Sequence, residues 1–166
     1  MKTYVVDSNF FIEAHRATYP LDIATSFWVK VKGLAQQGTI ISIDKVKKEL
    51  FDKNDDLEEW CVNNLPTDFF KNSSIVLQEY GQISSWVTSK SDHYLPNAIN
   101  EFLDVDEADA FLVAYVLADK QNKVLVTHEI SDPKRRNKVK MPEPCNQFGV
   151  VYMNTIGMLR ELGVTF

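Results

Sequence analysis

One stretch constrains the fold more than any other: Tyr4-Val5-Val6-Asp7-Ser8-Asn9-Phe10-Phe11-Ile12. Val5 and Val6 are β-branched and apolar, a polar Asp-Ser-Asn step follows at once, and a second apolar run then opens what reads as a helix. This is the pattern of a buried strand that carries a carboxylate at its C-terminal end and turns directly into a helix. Open α/β sheets build their sites at that edge. A carboxylate taken out of water there needs a cation, a donor or a water against it. Asp7 is therefore expected to be a metal ligand.

The same strand-then-helix grammar recurs along the chain. Residues 3–7 read as the first strand, and a helix follows from about Phe10 to the break at Tyr19-Pro20. Residues 22–37 carry Ile23, Phe27, Val31, Leu34 and Ala35 at helical steps, with Gly38 as the C-terminal stop. Thr39 to Ile43 is a strand, and Asp44 is expected to cap the helix bearing Val46, Glu49 and Leu50. In the middle, Leu57 to Leu65 fits a helix ended by Pro66, Ile75 to Val87 fits another, and residues 88–97 read as a loop. Val105 to Ala118 is a helix with a broad apolar face. Val124 to Thr127 is a strand, residues 130–149 a long basic loop, Val150 to Met153 a strand, and Thr155 to Leu162 a helix. The expectation is one α/β domain over residues 1–166: a three-layer sandwich around a mostly parallel sheet, with a helical insertion in the middle.

No apolar run approaches membrane-spanning length, and the N-terminus has no signal-peptide pattern. Cys61 and Cys145 lack metal-ligand spacing and read as reduced core residues, which suits a cytoplasmic location. The net charge of −5 does not itself indicate nucleic-acid binding. Its distribution is uneven, because Lys134, Arg135, Arg136, Lys138 and Lys140 fall within seven residues. The rest of the chain then holds 13 basic against 23 acidic residues, an acidic body with one basic segment.

Four acids occupy positions that this layout brings to one end of the sheet: Asp7, Glu49, Asp109 and Glu129. Clustered carboxylates repel one another, and a hard divalent cation such as Mg²⁺ relieves the repulsion while keeping waters for a substrate phosphate. Each acid also has an ordinary use. Asp7 could cap the following helix, Glu49 could be a solvated helix acid beside Lys47 and Lys48, Asp109 could complement a helix N-terminus, and Glu129 could be an exposed loop acid. Asp106, three residues before Asp109, reads as an N-cap or a supporting group. Ser8 and Asn9 are placed to donate to Asp7, and Thr127 to Glu129.

At these residues the chain resembles the PIN-domain family. Val5-Val6-Asp7-Ser8-Asn9-Phe10 matches its opening motif, and Ile41-Ser42-Ile43 with Val46-Lys47-Lys48-Glu49-Leu50 matches its second acid. Ala108-Asp109-Ala110-Phe111 resembles the third, and Val124-Leu125-Val126-Thr127-His128-Glu129 the fourth, where Asp is more usual than Glu. The longer middle and the basic stretch ending in Pro-Glu-Pro-Cys are similar to the PIN-like group DUF4411. The resemblance implies a Mg²⁺- or Mn²⁺-dependent endoribonuclease, often the toxin of a toxin–antitoxin pair, with an antitoxin partner and sometimes a homodimer. It implies that Asp7, Glu49, Asp109 and Glu129 hold metal, and that a metal-activated water cuts RNA to leave 5′-phosphate and 3′-hydroxyl ends.

The basic segment begins five residues after Glu129, so it is expected at the rim of the acidic pocket, where its charges could hold phosphates flanking the scissile bond or simply be solvated. Tyr94, Phe148 and Tyr152 could stack bases but fit the core better. His15, His93 and His128 show no catalytic spacing. Two rivals stand beside the nuclease. A haloacid-dehalogenase-like phosphatase needs Asp-x-Asp, and Asn9 stands where its second acid would be. A non-catalytic PIN-like binding module would keep the acids as charge alone.

Overall fold

The computed structural model describes residues 1–166. Five strands form the sheet: β1 (Thr3–Val6), β2 (Ile40–Ile43), β3 (Phe70–Lys71), β4 (Lys123–Val126) and β5 (Tyr152–Met153). Their order is β3-β2-β1-β4-β5, and every pairing is parallel. β1 lies in the centre, with Val5 opposite Ile41 on one side and Leu125 on the other. Nine helices surround the sheet: α1 (Ser8–Glu13), α2 (Thr25–Gln36), α3 (Asp44–Phe51), α4 (Asp56–Asn64), α5 (Leu77–Thr88), α6 (Pro96–Leu103), α7 (Asp109–Leu117), α8 (Pro142–Phe148) and α9 (Thr155–Leu162). The result is a three-layer α/β sandwich. All strands run the same way, so their C-terminal ends share one edge, and α1 and α3 start there.

The strands are apolar on both faces because helices cover both. Val5, Val6, Ile40, Ile43, Leu125 and Val126 are completely buried. In α7, every residue from Ala110 to Val116 is buried. A helix apolar all round belongs inside a protein, and α7 packs between β4 and α5, with Tyr80 of α5 stacked on Phe111 at 4.4 Å. A second aromatic cluster ties α1 to α2: Phe10 meets Phe11 edge-on at 4.9 Å, and Tyr19 stacks on Phe27 at 4.2 Å. Gly38 takes a φ of 72° just past the end of α2, the left-handed conformation that stops a helix there.

Several elements depart from the sequence expectation. The middle of the chain is mostly helical but also supplies β3, which extends the sheet by pairing with β2. Residues 88–97 are not all loop, since Pro96 starts α6 as its first residue, where its missing N–H is harmless. The basic loop likewise contains α8, also begun by a proline. α2 starts at Thr25, leaving Ile23 79 % exposed before it and not on its apolar face. α7 starts at Asp109, not Val105. The last strand is only Tyr152–Met153. Asp44 is not an N-cap: Ile43 holds that position, and the Asp44 carboxylate accepts the Ser73 hydroxyl at 2.6 Å, pinning α3 to the turn after β3. Cys61 and Cys145 are unpaired and buried. Tyr94 is buried, and Phe148 and Tyr152 pack against the core. No helix is long and apolar enough to cross a membrane.

Candidate acidic site

Asp7 leaves the central strand in an extended conformation and turns the chain into α1. Its backbone N–H bonds Val126 O of β4 at 3.2 Å, and the neighbouring β2 is held to the same end by the Ser42 hydroxyl on Val6 O at 2.6 Å. The Asp7 side chain is 3 % exposed. It does cap α1, accepting from Phe10 N–H at 3.2 Å, and its other oxygen accepts the Thr127 hydroxyl at 2.9 Å. Burial pushes its pKa up to about 6, against the pull of these two donors. Capping and a site role are thus compatible, because a carboxylate has lone pairs for both.

Asp109 is the first residue of α7 and receives no hydrogen bond from the protein. Burial, followed by the charges of Glu129, Asp7 and Glu49, pushes its pKa up to about 7. The charges of the other three acids therefore all reach Asp109. Glu49 is half-buried on the α3 face next to Val46 and Leu50. Its pKa is raised first by burial and then by Glu107, while bonds from the Ser8 hydroxyl and the Ala108 backbone hold it down. Glu129 is not an exposed loop acid. Its side chain is 13 % exposed, accepts Met141 N–H at 2.7 Å, and lies 3.5 Å from Lys138 Nζ.

The supporting residues differ from expectation in particular ways. Ser8 makes no hydrogen bond to Asp7; it lies near Glu49 instead, where it holds that pKa down. Asn9 is exposed and makes no side-chain hydrogen bond, so it does not orient Asp7. Thr127 serves Asp7, and its oxygen accepts the Glu129 backbone N–H at 3.1 Å without touching that carboxylate. Asp106 neither caps α7, whose N-cap position is Ala108, nor reaches the site; it is exposed and pairs with Lys48 at 3.2 Å.

The basic segment divides. Lys134, Arg135 and Arg136 are exposed, and Arg136 is latched through Nε to His93 O at 2.8 Å. Lys140 is half-buried. Lys138 turns inward to Glu129, and its charge holds the Asp109 pKa down. Sequence reasoning missed this inward turn, and it missed Glu107. It also gave His128 no role, yet both ring nitrogens are engaged, by Glu13 and by Thr155 (the latter at 2.7 Å). His128, Thr127 and Glu129 line a cavity of about 530 Å³ beside the acids, walled also by Tyr19, Ile130 and Tyr152.

The donor set suits a hard divalent cation: oxygen ligands only, repulsion on Asp109 to relieve, and that same carboxylate without a protein donor. The acids are not closed around a point, however. No three acidic, histidine or cysteine side chains stand together in chelating geometry. An ion would have to draw in Glu49 and Glu129, the two long side chains, towards Asp7 and Asp109.

An all-parallel α/β sandwich with four carboxylates gathered at the C-terminal edge of its sheet is the class that fold and site define. The DUF4411 family profile, described as a domain of unknown function, matches residues 4–166, and the chain belongs to that family. No curated protein and no solved structure shows a significant match.

Proposed function

We propose that this protein is a PIN-like, Mg²⁺- or Mn²⁺-dependent endoribonuclease. The observation that carries the reading is Asp109, pushed up to about 7 by burial together with Glu129, Asp7 and Glu49. A buried acid that three other carboxylates push up and that has no donor of its own is a place for a cation. Asp7, Glu49, Asp109 and Glu129 would hold it. A bound ion of this kind supplies Lewis-acid activation of water and offsets charge on a phosphodiester. Thr127 and the Phe10 N–H orient Asp7, and Met141 N–H orients Glu129. Lys134, Arg135 and Arg136, exposed on the loop that follows Glu129, offer positive charge to the phosphates of an RNA strand. A toxin role with an antitoxin partner rests on the PIN-like resemblance.

The test is a cleavage assay on mixed RNA with Mg²⁺, Mn²⁺ or chelator, run beside Asp7→Asn and Asp109→Asn. Cleavage that needs the metal and disappears in both variants supports the reading. Cleavage that survives chelator or either substitution overturns it.

A further inference from the structure

Two groups hold Glu129, and they hold different atoms. The Met141 backbone N–H donates to Oε2 at 2.7 Å, and the Lys138 ammonium stands 3.5 Å from Oε1. The first partner is fixed. Val139 and Met141 are both buried, so the main chain that carries the N–H is held in the core. The second partner is free to move. Lys138 is a compact charge on a flexible four-carbon stem, and 39 % of its side chain is in solvent, against 13 % for Glu129.

Lys138 also faces other acids. It shares the walls of a hollow of about 20 Å³, room for one water, with Asp109, Glu101 and Glu107. Its charge holds Asp109 down against the three carboxylates that push it up. Lys53 acts on Glu49 in the same sense, and His128 on Asp7. Among the ion pairs of the fold, however, only Lys138 with Glu129 involves one of the four acids.

We propose that Lys138 is the internal cation of the acidic site, and that loading a divalent ion is an exchange: Lys138 gives up Glu129 Oε1 to the ion while Met141 keeps Oε2. The proposal rests on the metal site of the nuclease reading and makes Lys138 a positioning residue that sets its metal affinity. An ammonium and a divalent ion on one carboxylate oxygen repel, so the weaker charge leaves. Leaving needs no movement of the main chain, because the ammonium already reaches water. The exchange also accounts for acids that stand apart: Oε1 of Glu129 is turned to a lysine, and an ion has to win it. Lys138 differs in this from Lys134, Arg135 and Arg136, which are exposed and pair with no acid.

Calorimetric titration of Mn²⁺ into the full chain at pH 8 tests this without RNA. Lys138→Met should bind Mn²⁺ about tenfold more tightly than the wild type, the scale of one unit charge facing a divalent ion across several ångströms of partly wet protein. Lys138→Arg, whose planar fork grips a carboxylate through two N–H groups, should bind it no more tightly than the wild type. Lys134→Met makes the same charge change on the exposed part of the loop and should alter the affinity by less than about twofold. In chelator, Lys138→Met should melt below the wild type, and saturating Mn²⁺ should close the gap. A wild-type crystal grown with Mn²⁺ should show Lys138 Nζ beyond about 4 Å from Glu129 Oε1, with Met141 N–H still on Oε2. Equal affinity of wild type and Lys138→Met, an equal gain in Lys134→Met, Mn²⁺ bound by neither protein, or a loaded crystal in which Lys138 still holds Glu129 would overturn the proposal. Tighter Mn²⁺ binding in Lys138→Met beside RNA that stays whole removes only the nuclease. Metal-dependent cleavage lost in Asp7→Asn beside unchanged Mn²⁺ affinity in Lys138→Met removes only the exchange.

Discussion

A single carboxylate, Asp109, shows what the site costs the protein. Its pKa stands near 7, against an ordinary 3.8, so the folded state prefers it protonated and is destabilised when it ionises. Asp109→Asn removes that charge at nearly constant shape. The variant should melt above the wild type at pH 8, and the gain should shrink at pH 5, where the wild-type group is already protonated. Calorimetry at the two pH values checks this, with RNA cleavage abolished in the same variant. Such exchange of stability for function is common at sites. Thr127→Val tests a neighbour. It leaves Asp7 with the Phe10 N–H alone, and losing a donor to a buried carboxylate costs about 1–3 kcal/mol. Chemical denaturation at pH 7.5 measures it, with Thr127→Ser as the variant that restores the hydroxyl. Asp7 could be found from sequence because it ends an apolar strand, a position with few structural alternatives. The partner of Thr127 could not, since a hydroxyl's direction depends on which neighbouring element comes within reach.

At the scale of elements, α7 is the scaffold. Leu112 is completely buried near its centre, in the helix that starts with Asp109. Leu112→Ala should cost about 2–5 kcal/mol by leaving a cavity in a close-packed layer. Denaturant unfolding reads that loss. The basic segment gives a separate prediction because its members face different ways. Neutralising both Arg135 and Arg136 should flatten the log–log salt dependence of RNA binding by about 0.7 for each phosphate that the arginines had neutralised. Lys138→Met removes a cation from beside Glu129 and Asp109, so it should move the rising limb of any pH–rate profile to higher pH. Helices with a sustained apolar period, such as α2 and α5, were legible in the sequence to within a few residues. β3 was not, because two residues carry no period. α6 and α8 were missed because Pro96 and Pro142 read as breaks when each opens a helix. The direction of Lys138 was hidden within a run of charge, where spacing says nothing of which side chain turns inward.

For the whole molecule, protons and metal compete. Asp7 and Asp109 titrate near 6 and 7 when folded and near 3.8 otherwise. Their favourable contribution is complete below about pH 4 and lost as pH climbs through 6 and 7. The metal-free protein should therefore lose Tm across that window, and Mg²⁺ or Mn²⁺ should restore it increasingly towards pH 8, where no proton contests the ligands. Thermal scans with chelator and with ion, taken at intervals from pH 5 to 8, check both slopes. The sheet order adds a consequence in time. β1 is the first strand a ribosome releases and the middle strand of the finished sheet, and its partner β4 is made only when three quarters of the chain exists. β2 can cover one edge of β1 early, but the other edge stays open through most of synthesis, and until that seam closes the fourth acid has nowhere to sit. Any cutting activity is therefore withheld from the ribosome that makes it until the polypeptide is almost complete.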